Sequence, residues 1–155
     1  LLYLTVYTVS ALGGFAFILS MEKDNIMLND IASFAGLSKS NPFYAICFSI
    51  ILLSLAGLPP LAGFIAKFYI FKAVIAADYL WFAVIGIIGS VISAYYYLNI
   101  VKVMFLDEAE ESFKVETKSS IKLILFITAM LLLIFLIYAD SLVNFLTYIS
   151  KAIVL

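Results

Sequence analysis

The chain has 155 residues, of which 66% are hydrophobic, and a mean hydropathy of +1.19, which is far more apolar surface than a water-soluble domain of this size buries. Nine lysines, no arginine and ten acids leave a net charge of −1, which gives no case for a nucleic-acid partner. One cysteine and no histidine exclude an internal disulfide and remove the usual donors of zinc and haem sites, so no metal is expected.

The composition is that of an integral membrane protein in contact with the lipid bilayer. The charge-free runs 1–21, 40–66, 79–101 and 123–139 approach the roughly 20 residues needed to cross about 30 Å of hydrocarbon. None alternates polar with apolar as a barrel strand does, so the spans are read as helices. The first residue is Leu and no basic stretch precedes the opening run, so no signal peptide is expected and the chain is read as starting mid-protein.

Residues 1–20 form the first span, with Ser10, Gly13 and Gly14 as a small-residue patch for close contact with another helix. In the loop 22–41, Ile31 to Leu37 suggests a short interfacial helix, and Asn41-Pro42 marks a helix entry, because Asn caps a helix and Pro suits its first turn. The stretch 42–77 would be about 54 Å long as one straight helix, too long for a plain span. It contains Leu55-Ala56-Gly57-Leu58-Pro59-Pro60-Leu61-Ala62-Gly63-Phe64-Ile65-Ala66-Lys67-Phe68-Tyr69. Pro59 and Pro60 have no amide hydrogen, and each disfavours helix at the residue before it, so a regular helix cannot continue through Leu58. Either two short spans form a hairpin there, or one helix crosses with a break. Lys67, two turns beyond the prolines and flanked by apolar residues, is the candidate functional residue, since an ammonium inside a membrane is costly. Bare backbone at Gly57 to Pro60 would cost several kcal/mol per group in hydrocarbon, so protein or water is expected to cover it. Cys47 reads as a small buried hydrophobe.

Asp78 with Tyr79, Trp81 and Phe82 reads as an interfacial turn with an aromatic belt. The next span, about 79–106, carries Gly86, Gly89 and Ser93 on one side, where another helix can approach. Tyr95, Tyr96 and Tyr97 are assigned to packing and inter-helix hydrogen bonding. Lys102 is expected to reach for the surface. Residues 107–122 are a solvated loop, 121–140 a final span that Asp140 ends, and 141–155 either an extension of that helix or a surface segment. With a single broken crossing at 42–77, Lys23, Lys39, Lys102, Lys114, Lys118 and Lys122 gather on one side, against Lys72 and Lys151 opposite. By the lysine rule the first side faces the cytoplasm or an organelle matrix.

The stretch from Ser54 to Tyr69 resembles a segment of the antiporter-like subunit 2, or N, of respiratory complex I, the proton-pumping NADH:quinone oxidoreductase. Gly89-Ser90 followed by Ala94-Tyr95-Tyr96-Tyr97-Leu98, and then Ile100-Val101-Lys102-Val103-Met104-Phe105-Leu106-Asp107-Glu108, agree with the same family in type and order, as found in alphaproteobacteria and mitochondria. The resemblance implies an all-α integral membrane fold with four transmembrane helices, the second broken at Gly57, Leu58, Pro59 and Pro60. They would be the last four of an antiporter-like set of fourteen, forming a single helical membrane domain. It also implies that Lys67 belongs to a chain of charged residues at mid-membrane that passes protons through bound water, and it places Gly63 in close packing at the break. Asn99 stands where many bacterial relatives have arginine, so that arginine's role is not carried over. The first inverted repeat would precede Leu1, so the expected partners are the missing amino-terminal part, supplied by the same gene or as a separate chain, and the other membrane-arm subunits. No cofactor is expected in this chain; flavin, iron–sulfur clusters and quinone would lie in partner subunits. The implied location is the mitochondrial inner membrane or a bacterial plasma membrane. Two other functions compete: a fragment of a cation/proton antiporter, which the tyrosine run and Asp107-Glu108 disfavour, and a membrane scaffold in which Lys67 is only structural.

Overall fold

The structure is a computed structural model that describes residues 1–19, 21–23, 26–27, 30–108 and 119–138. Apart from a two-stranded ribbon, the described elements are helical: α1 Leu2–Ile18, β1 Glu22–Lys23, β2 Ile26–Met27, a 3₁₀ turn Ile31–Phe34, α2 Leu37–Ser40, α3 Pro42–Ala56, α4 Ala62–Ala76, α5 Leu80–Leu106 and α6 Ser119–Ile137. The strands are antiparallel, with Glu22 opposite Met27. In α1 and α5 hydroxyls are satisfied within the helix, which lets polar residues sit in apolar surroundings. Ser10 Oγ donates to the Val6 carbonyl at 2.8 Å and Ser93 Oγ to that of Gly89 at 2.9 Å.

The centre of the fold is α3, which touches α1, α2, α4, α5 and α6. Ala45 and Ile51 have no exposed surface, and Cys47 is buried beside them in the apolar core. Pro42 occupies the first turn of α3 as expected, but the Asn41 side chain forms no cap; its amide donates to Ser40 Oγ at 3.3 Å. Near that end Phe17 lies 4.6 Å from Phe48 and 5.9 Å from Tyr44 between ring centres. The segment after α1 folds over this aromatic cluster, burying Met21, Phe34 and Leu37. The single interfacial helix expected over 31–37 is instead a 3₁₀ turn followed by α2, because the chain bends at Gly36, whose φ is +68°.

The small-residue patch of α1 meets α6. A Cβ at Gly13 would lie 2.5 Å from Thr128 Cγ2. On α5 the expectation divides. Gly86 is met by Phe71 of α4, whereas Gly89 has no neighbouring atom within 4 Å. Of the tyrosine run, Tyr95 and Tyr96 are exposed and Tyr97 is half-buried. Helix α4 ends at Ala76, and the turn that follows passes through Asp78, a non-glycine residue at φ +62°, with the Tyr79 amide closing on the Val74 carbonyl at 3.1 Å. Among the described residues, α5 is the one helix long and apolar enough to cross a membrane by itself. Lys102 and Lys72 are exposed. The expectations for 109–118 and for 139–155 fall outside the described residues.

Candidate functional site

The site begins where α3 ends. Gly57 takes φ +81°, a conformation that costs an L side chain energy, and so turns the chain out of the helix. Its amide donates to the carbonyls of Leu53 and Ser54 at 3.1 and 3.0 Å, and the Leu58 amide returns to Leu53 at 3.2 Å. The next two carbonyls, of Leu55 and Ala56, would in a continuing helix accept from residues 59 and 60. Both are proline and have no amide hydrogen. Two acceptors at the negative end of a helix are thus left open.

Lys67 closes them. Its ammonium donates to the Leu55 carbonyl at 3.0 Å and to that of Ala56 at 3.1 Å. It forms no ion pair with any described residue. The lysine stem folds back over the link, with Cδ and Nζ 3.0 and 3.1 Å from where a Gly57 Cβ would stand. The start of α4 is held in turn by α3. The Gly63 amide donates to Ser54 Oγ at 3.1 Å, and a Cβ at Gly63 would overlap the Ser54 carbonyl oxygen.

The lysine borders a partly open cavity of about 380 Å³ lined by residues of α1, α3, α4 and α5. Its lining includes the hydroxyl-bearing residues Tyr3, Tyr7, Ser10, Ser54, Ser90, Ser93 and Tyr97. Gly89 leaves room that a side chain would fill, whereas Phe71 takes up the space at Gly86. A second cavity of about 350 Å³, lined mainly by apolar side chains, shares Tyr7, Leu55 and Tyr97 with the first. A space of this kind, lined by hydroxyls and an ammonium, has the partners that bound water requires.

Of the residues picked out from the sequence, Lys67, Gly57 and Gly63 come together here. Leu58 is half-buried, and Pro59 and Pro60 are exposed among the described residues. Tyr3 and Tyr7 were not picked out, and Ser54, Ser90 and Tyr97 entered the sequence reading only through the family motifs or as packing residues. Their helices are apolar on every side, so no periodicity marks an inward hydroxyl.

Residues 1–93 match the family described as NADH:quinone oxidoreductase/Mrp antiporter, transmembrane. NADH-quinone oxidoreductase subunit N of Paramagnetospirillum magneticum is 41% identical over 93% of this chain and 30% of its own length. The protein of the same name from Dehalococcoides mccartyi is 39% identical over 99% of this chain and 32% of its own. A chain of respiratory complex I from Thermus thermophilus, solved with bound aureothin, superposes with a TM-score of 0.77 at 28% identity, covering 90% of this chain and 32% of that one. This chain therefore spans about a third or less of the relatives it matches. On these grounds the chain belongs to the NADH:quinone oxidoreductase/Mrp antiporter transmembrane family, and it is an integral membrane protein.

Proposed function

We propose that this chain is part of a membrane-arm subunit N of a proton-pumping NADH:quinone oxidoreductase, in which Lys67 carries protons. The observation that supports this most is the pairing of Lys67 with the two carbonyls that Pro59 and Pro60 leave without amide donors. The ammonium is bound by neutral dipoles in a hydroxyl-lined cavity. An amine so held can give its proton to bound water and take one back, which a guanidinium does not do. The carbonyls hold the charged form in place, and the link at Gly57 to Leu61 keeps them open.

In this reading the chain makes four crossings, with α3 and α4 as the halves of the second. Each half has 15 residues, about 22 Å of helix, short of the ~30 Å hydrocarbon core. Helix α4 touches α1 and α5 as well as α3, so both halves of the crossing share the same neighbours. The exposed Pro59 and Pro60 and the share of the relatives spanned support a need for the rest of such a subunit, on the same or a separate polypeptide, and for other complex I subunits. Redox cofactors would belong to those partners. The membrane would be a bacterial plasma membrane or the mitochondrial inner membrane.

Lys67→Met, which keeps the side-chain length and removes the titrating group, tests the reading in the assembled enzyme reconstituted into vesicles. Assembly is expected to persist, with proton pumping and quinone-coupled NADH oxidation strongly lowered. Normal pumping by the assembled variant would refute the proton-carrying role.

A further inference from the structure

We propose that Ser54 is a positioning residue for Lys67: its hydroxyl fixes the start of α4 against the end of α3, and so aims the ammonium at the Leu55 and Ala56 carbonyls. The inference rests on the reading of Lys67 as the proton carrier. Lys67 lies 12 and 11 residues beyond its two acceptors, so its reach depends on how the half-helices are offset. Ser54 spans the interruption. Its carbonyl accepts the Gly57 amide at 3.0 Å on one side of the link, and its hydroxyl accepts the Gly63 amide at 3.1 Å on the other.

That second bond caps α4 from outside. The first amides of a helix have no partner within it, and Leu61, at the N-cap position, brings no side-chain acceptor. Ser54 and Gly63 are both buried, Ser54 with no exposed surface. Without the hydroxyl, the Gly63 amide would be left unpaired in the interior, and α4 would have to move to find another partner. Gly63 and Lys67 are four residues apart on the same face of α4, so a movement at Gly63 is passed on to the ammonium. The close approach depends on Gly63 having no side chain, since a Cβ there would overlap the Ser54 carbonyl. Ser54 and Lys67 also line one cavity, so the hydroxyl sets the geometry where the proton would leave.

The test uses the complete enzyme in vesicles, comparing Ser54→Ala, Ser54→Thr, Lys67→Met and the Ser54→Ala/Lys67→Met pair. Ser54→Ala is expected to lower pumping several-fold and to displace the pH profile of NADH oxidation, and Ser54→Thr, which keeps the hydroxyl, to restore both. Added to Lys67→Met, Ser54→Ala should cause no further loss, because the two act through one group. Wild-type pumping and pH profile in Ser54→Ala beside a defective Lys67→Met would overturn the role of Ser54 and leave that of Lys67 standing. An unshifted pH profile, failure of Ser54→Thr to rescue, or a further loss in the double variant would also overturn it. Should Ser54→Ala not assemble, Ser54→Cys, whose sulfur is a weak acceptor, should give an intermediate rate and profile, and wild-type behaviour there would count against the proposal. Normal pumping by Lys67→Met would instead remove the reading beneath it.

Discussion

Thr128 of α6 fills the space that a side chain on Gly13 of α1 would need: a Cβ there would stand 2.5 Å from Cγ2 and 2.8 Å from Oγ1. The neighbouring Gly14 has ordinary clearance, with Ile51 Cγ2 at 3.8 Å. Gly13→Val is therefore expected to destabilise the helix pair by about 1–3 kcal/mol through overpacking, while Gly14→Ala, which has room for its methyl inside a helix, should gain roughly 0.5–1 kcal/mol. Thermal unfolding of the purified assembly compares them. Equal stability of the two variants would contradict the α1–α6 contact.

Gly57 carries two constraints at once. Its φ of +81° would cost an alanine roughly 1–2 kcal/mol, and the new methyl would press on Lys67 Cδ at 3.0 Å. Gly57→Ala should lower both stability and pumping. A variant that loses stability but pumps normally per assembled enzyme would mean that the lysine does not need its observed path over the link.

Replacing Pro59 and Pro60 together by alanine restores two amide donors. These would compete with Lys67 for the Leu55 and Ala56 carbonyls, and α3 could extend by about a turn. The expected outcome is an assembled enzyme with pumping reduced about as far as in Lys67→Met. Pumping at the wild-type rate would show that the open carbonyls are not required.

Lys67→Arg keeps a charge but holds its proton, so pumping should fall. Lys72, exposed on α4, should tolerate methionine with little change. A larger loss from Lys72→Met than from Lys67→Arg would reverse the assignment.

Single cysteines at Lys23 and Lys114 should label from one face of the membrane and a cysteine at Asp78 from the other, in a background lacking the buried Cys47. Labelling of Lys23 and Lys114 from opposite faces would exclude the four-crossing arrangement.

The interruption between Ala56 and Ala62 could be read from the sequence because proline lacks a donor wherever it stands, and Lys67 could be picked out because a lone charge among apolar residues is costly in any fold. Ser54 could not. A serine in an apolar helix usually bonds to its own preceding turn, as Ser10 and Ser93 do, and only the offset of α4 turns Ser54 to a different use. Gly86 and Gly89 look equivalent by spacing, yet Phe71 reaches only Gly86, a matter of where α4 ends up. The ribbon at 22–27 is two residues per strand, too short for alternation to register. Tyr3 and Tyr7 were equally obscure, because a helix with no polar face gives no pattern that marks a tyrosine as lining a cavity.

Trp81 is the one tryptophan of the sequence, and it stands 79% exposed at the first turn of α5. Its fluorescence is therefore a built-in report on what surrounds the α4–α5 turn, free of contributions from any other indole in this chain. Emission quenched by brominated acyl chains would place lipid against it. Emission that is short in wavelength but insensitive to bromine would place a neighbouring protein surface there, so the edge of the assembly could be located at this turn without changing a residue.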